Sequence, residues 1–129
     1  MAKRTTSLVC AMIFTASMHV CGARAESTGW IDGHAALALV KSLGGRQLIP
    51  TNVSCRTTAA KDATSAFQGK IDYGLNTSYT AWYAGGYSQP DFYVINKKLG
   101  AKGYRLVSDN SYRSAKSGMI VHCSIWHKN

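Results

Sequence analysis

The chain is short of acid: 6 Asp and Glu stand against 15 Lys and Arg in 129 residues. It has no long hydrophobic run, no CxxC, no HxH and no HExxH. It also has no glycine-rich phosphate loop ending in Lys-Ser or Lys-Thr. These absences exclude a membrane helix, a metal site read from sequence, a dithiol redox motif and a P-loop nucleotide site. The scarcity of acid leaves a cationic surface, which attracts anionic partners.

What is present begins with a leader. Met1 to Ala25 has a charged start at Lys3 and Arg4 and an apolar run from Leu8 to Ala16. It closes on the small-x-small triplet Ala23-Arg24-Ala25. That is the pattern of a secretory signal peptide cleaved after Ala25, and the apolar run is too short to span a bilayer. Met18-His19-Val20 before Cys21 does not fit a lipoprotein signal. The expected mature chain, residues 26–129, loses three of the basic residues. It keeps 12 against 6 acidic, net +6, and reads as soluble and either periplasmic or secreted. Cys10 and Cys21 leave with the signal. Cys55 and Cys123 remain, and two cysteines in a small exported domain are expected to pair.

Along the mature chain, Asp32 is placed to cap a helix from His34 whose apolar stripe is Leu37 and Val40, with Ala36 and Leu43 beside it. Gly44-Gly45 stops that helix. Arg46 to Arg56 reads as a strand broken or bulged at Pro50, and so as an edge or a bend. Thr57 to Gln68 reads as a loop, and Lys70 to Leu75 alternates like a half-buried strand. Ser88 and Pro90 open a second helix over Asp91 to Leu99, with stripe Phe92, Ile95 and Leu99. Tyr104 to Ser108 and Met119 to Trp126 read as strands around a polar hairpin connection, Asp109 to Gly118. In the last strand Met119, Val121, Cys123 and Ile125 alternate with Ile120, His122, Ser124 and Trp126.

Leu43 to Ile49 can be laid on Leu99 to Val107 with a two-residue gap, making each half helix, strand, strand. The expected fold class is therefore α+β: two α-β-β units, 26–86 and 87–129, forming one antiparallel sheet covered by two helices and stapled by one disulfide.

The second half, through Leu99, Gly103, Tyr104, Arg105, Leu106, Val107, Tyr112, Ile125 and Trp126, resembles the bacterial tandem repeat domains, also seen in the N-terminal part of fungal polyglycine hydrolases. In those repeats a Gly-Tyr-Arg step follows a helix and a Trp closes the second strand. The resemblance covers about a third of the chain. The first half departs from it at Gln47, Leu48 and Pro50. It implies a repeat module without chemistry of its own.

Candidate chemistry is thin. His34 beside Asp32 could do acid-base work, and His122 next to Cys123 superficially suggests a nucleophile pair. Adjacent strand residues face opposite sides, so His122 and Cys123 should not meet. His127 lies almost at the terminus. Catalytic residues, metal ligands and cofactors are therefore not assigned. The composition favours binding. Tyr79, Trp82, Tyr83 and Tyr87 lie among Gly, Ser, Thr and Asn, as on recognition surfaces. Lys97, Lys98 and Arg105 supply charge nearby, with Gly85-Gly86 read as a turn. The expected activity is that of an exported recognition module for a protein or an envelope glycan, or for another anionic surface. No motif points to nucleic acid. An inhibitor of a secreted hydrolase, or a small hydrolytic enzyme using His34 and Asp32 or His122, are the alternatives.

Overall fold

The computed structural model describes residues 25–58 and 67–129. The expected signal peptide, but for Ala25, and most of the Thr57–Gln68 loop lie outside the described residues. Two short strands, β1 (Glu26–Ser27) and β2 (Ile31–Asp32), lead into helix α1 (Gly33–Leu43). A 3-10 turn (Gly44–Arg46) and strands β3 (Leu48–Thr57) and β4 (Phe67–Leu75) complete the first half. Strand β5 (Ala81–Ser88), helix α2 (Gln89–Ala101), β6 (Tyr104–Arg113) and β7 (Ile120–Lys128) make the second.

Local chemistry places both helices. The Asp32 carboxylate accepts from the Ala35 N–H at 2.8 Å, satisfying one of the orphan donors of the first turn. Ser88 occupies the equivalent position of α2, where its hydroxyl donates to Asp91 at 2.8 Å, and Pro90 sits in the first turn. Phe92 and Leu99 are buried as their spacing predicts. In α1, Ala36 and Leu43 are the buried positions, whereas Leu37, expected on the core stripe, is 47% exposed.

The hydrogen-bonded strands form two antiparallel sheets, not the single sheet expected. In one, β4 pairs with β1, β2 and β3; in the other, β7 pairs with β5 and β6. The reason for the division lies at the seam, where side chains stand between the two inner edge strands. The Val53 N–H donates to Ser108 Oγ (3.1 Å) and the Cys55 N–H to Asn110 Oδ1 (2.8 Å). Ser108 Oγ donates to Asn52 Oδ1 (3.0 Å), and the Ala115 N–H donates to Thr57 Oγ1 (2.9 Å). The partners rise in number together, so β3 and β6 run parallel, joined by side chains in place of a backbone ladder. The expected Cys55–Cys123 disulfide crosses the same seam, with both residues buried.

The two halves correspond position by position. Leu43 and Leu99, both buried, are 56 positions apart. At the same offset, Gln47 (φ 55°) matches Gly103 (φ 89°), both left-handed at the step into a strand. The bulge between Pro50 and Asn52 matches that between Leu106 and Ser108. No gap is needed, contrary to the expected two-residue one. β1 and β2 together match β5, so each half is β-α-β-β with its last strand central. β5, like the short β1 and β2, is absent from the helix-strand-strand pattern expected of each half. Gly85-Gly86, expected as a turn, lie inside β5. β6 also runs to Arg113, taking in half of the expected polar hairpin, and the turn is left to Ser114 to Met119.

Candidate functional site

Three arrangements could carry function: a buried histidine cluster, an apolar groove and a basic end.

The first lies beneath α2. His122 stacks face to face on Phe92 (centroids 4.1 Å, interplanar 6°). Its Nδ1 is 3.0 Å from both Asp109 carboxylate oxygens, and Ser124 Oγ donates to Asp109 Oδ1 at 2.7 Å. Asp109, expected in a turn, is brought here because β6 is longer than expected and sets it opposite Ser124. A general base needs its free nitrogen open to a reacting atom. His122 Nε2 is instead buried, without a hydrogen-bond partner among the described residues, and Ser124 bonds the carboxylate, not the imidazole. His122 and Cys123 point to opposite faces, as expected. Asp32 is engaged as a helix cap and His34 is exposed, so these two form no described pair.

His127 has a structural role that its place near the terminus conceals. It is 6% exposed, and its Nε2–H donates to Pro50 O at 2.8 Å, tying β7 to the β3 bulge. The Tyr79 ring lies against it, with centroids 4.5 Å apart.

The expected contact residues divide between two faces of the second sheet. Tyr83 and Tyr87 oppose Trp126 and His122 on the α2 face and pack edge-on against Trp126. Tyr83 remains 41% exposed and Tyr87 is half-buried. Trp82 and Arg105 both oppose His127 on the other face, the side on which Tyr79 sits. Thus the aromatics do not form one platform.

Burial, with a hydrogen bond donated to Tyr83 behind it, pushes the Tyr87 phenol far above its ordinary value of 10.0. Burial raises Tyr112 as well. A phenol whose value is raised on folding stabilises the fold in full below the unfolded value. That contribution is lost as pH rises through the folded value. Stability should therefore fall above about pH 10, and Tyr87→Phe should blunt the fall, as read by circular dichroism along an alkaline titration.

The groove lies between α1 and the second sheet. Ala36, Leu37 and Val40 line one wall, Cys55, Gly69 and Ile71 the floor, and Ala84, Cys123 and Ile125 the other wall. Its origin is visible in the comparison of halves. Where α2 presents Phe92 to His122, α1 presents Ala36 to Gly69, and a Cβ on Gly69 would sit 3.3 Å from the Ala36 Cβ.

The basic end follows from topology. Because β3 and β6 are parallel and each follows its helix, both helix C-termini lie at the same end of the molecule. That end collects Lys41, Arg46, Lys97, Lys98, Lys102 and Arg105, all exposed, with Lys128 at the close of β7. Lys128 Nζ lies 5.6 Å from the Tyr104 ring centroid, and Tyr79 is in the loop that reaches β5. Cations here also complement the helix dipoles. The acids Asp32 and Asp91 lie at the opposite end, at the helix starts. Glu26 and Asp72 flank the far edge of the first sheet, where Glu26 accepts from the Tyr73 hydroxyl at 2.7 Å and Asn52 donates to Asp72 at 3.2 Å. The Ser27 and Asn52 side chains hold the Asp72 carboxyl below its ordinary value.

Among the described residues, no group of three or more His, Cys, Asp or Glu could hold a metal ion, and no helix is long and apolar enough to cross a membrane. Comparison with protein-family models, curated proteins and solved structures finds no match.

Proposed function

We propose that this protein is an exported, non-catalytic recognition module that binds an anionic partner through its basic end. The observation that carries the reading is the convergence of both helix C-termini, with Lys97, Lys98, Lys102, Arg105 and Lys128 beside Tyr79 and Tyr104. A single-sign field on one end raises the local concentration of an acidic partner and speeds its capture. Tyr79 and Tyr104 give that end apolar area with a polar handle. The partner class is an acidic envelope glycan or an acidic protein surface met after export, and cleavage after Ala25 would release the module into the periplasm or medium. The repeat resemblance supports a module without chemistry, and the buried, unreactive placement of His122 supports it further. Tyr83 and Tyr87 belong in this reading to the packing around Trp126, leaving Tyr79 and Tyr104 as the aromatic contacts of that end.

The test is titration of an anionic polysaccharide and of an acidic protein, at low and moderate salt. Lys97→Gln with Lys98→Gln and Lys102→Gln should weaken binding at least tenfold, by about 1.4 kcal/mol or more. Arg113→Gln at the opposite end should leave it unchanged. Equal losses from both would sink the proposal.

A further inference from the structure

Edge strands expose unpaired N–H and C=O groups, and proteins commonly blunt them with charge, proline, bulges or brevity. Each outer edge of this molecule can be checked against that list. The inner edges, β3 and β6, meet at the side-chain seam. The outer edge of the first sheet is reduced to the two-residue strands β1 and β2, interrupted at Thr28-Gly29-Trp30, where Gly29 has φ 68°.

Strand β5, the equivalent of that edge in the second half, has none of these protections. It runs eight residues, AWYAGGYS, in unbroken register from Ala81 opposite Lys128 to Ser88 opposite Val121. It carries no charge, no proline and no bulge. It pairs with β7 on one side, and among the described residues no strand pairs with the other. At its centre lie two glycines, where another backbone can approach closely. The bare backbone of Gly85 is covered by the ring of Tyr87: a Cβ there would stand 2.8 Å from the Tyr87 hydroxyl oxygen.

We infer that β5 is a dimerisation edge, pairing antiparallel with β5 of a second copy of this chain. Three observations choose this occupant. A strand without charge meets its own copy with no like-charge opposition. Among the described residues there is one continuous open edge, so only an isologous two-fold contact uses it up, closing at two copies and leaving no such edge for a fibre. The charge distribution sets the direction. The basic end lies at the start of β5, so antiparallel pairing sends the two basic ends to opposite extremes, whereas parallel pairing would set them side by side. A register centred on Gly85 also places Tyr83 of each copy opposite Tyr87 of the other, an aromatic cross-strand pair. The product is a continuous six-stranded sheet, β6-β7-β5 continued into its copy. This inference is independent of whether the basic end binds an anion.

The test is the mass of the disulfide-intact protein by sedimentation over a wide concentration range, with amide hydrogen exchange followed at each concentration. The expected result is a shift from one to two chain masses, in which the outward amides of β5 become slow to exchange. Tyr83→Lys, which sets a cation on the edge at an exposed position, should return the protein to one mass while its circular dichroism is kept. If that variant fails to fold, exchange in the wild type decides alone. A single mass at every concentration would overturn the inference. So would a dimer whose β5 amides exchange as in the monomer, or an open-ended series of masses.

Discussion

Removing the Cys55–Cys123 bridge should lower the stability of this domain by about 4 kcal/mol, the chain-entropy value for a loop of this length. The bridge spans 68 positions and joins the two sheets at the seam. A domain of this size has about 5–15 kcal/mol in total, so the loss is a large share of it. What remains at the seam is a set of side-chain bonds, from Val53, Cys55, Ser108 and Ala115, each contributing about 1 kcal/mol net, and the His127 bond to Pro50 O. These tie down geometry but do not restrict the unfolded chain, which is where the bridge acts. The measurement is urea unfolding of Cys55→Ala/Cys123→Ala against the oxidised wild type. The midpoint should fall sharply within one transition. A drop smaller than about 1 kcal/mol would assign the joining of the halves to packing and seam hydrogen bonds, since that is the scale of a single such bond. Two separate transitions would show halves that fold independently once unlinked.

The sequence discloses those parts of this fold that use strong local signals. Asp32 as a cap, the bend at Pro50 and the Phe92-Ile95-Leu99 stripe all act within a few residues and are legible. The expected stop at Gly44-Gly45, by contrast, is a right-handed 3-10 turn, and the left-handed step comes at Gln47. The Cys55–Cys123 pairing is legible from the expected export signal and the count of cysteines outside it. Strand β5 is not, because Gly85-Gly86 imitate a turn and its covering ring comes from Tyr87 two positions on. The outer half of β6, Ser108 to Arg113, is polar for a reason that appears only in three dimensions. Ser108 and Asn110 stand between the sheets as bridges, and Asp109 is drawn under α2 by His122 and Ser124. The same cause hides His127, whose partner is a carbonyl freed by a bulge 77 positions away. The expected contact face failed as one surface because period-2 alternation sends Trp82 and Tyr83 to opposite sides. The basic end could not be read at all without knowing that β3 and β6 run parallel.

The unequal filling of two equivalent halves makes the second large prediction. Trp126 and Tyr73 occupy matching places, each opposite the residue that precedes the strand bulge, Leu106 and Pro50 respectively. Trp126 is fully buried, surrounded by Phe92, Tyr83 and Tyr87, and its Nε1–H donates to Asn96 Oδ1 at 2.9 Å. Tyr73 is only half-buried, and its hydroxyl reaches out to Glu26. Trp126→Ala should therefore cost about 3–5 kcal/mol, the range for emptying a large aromatic site, and it also leaves Asn96 without its donor. Tyr73→Ala should cost about 1 kcal/mol, as for an ordinary partly exposed change. Trp126→Phe should recover most of the apolar part and isolate the Asn96 bond. Calorimetric unfolding of the three variants checks the order. Equal costs at positions 126 and 73 would mean that α1 packs on its sheet as firmly as α2 does. Such an outcome is hard to reconcile with the open groove between Ala36 and Ile125. The unequal outcome would place the stability of the molecule in the second half, around Trp126, and leave the first half held to it by the seam and the disulfide.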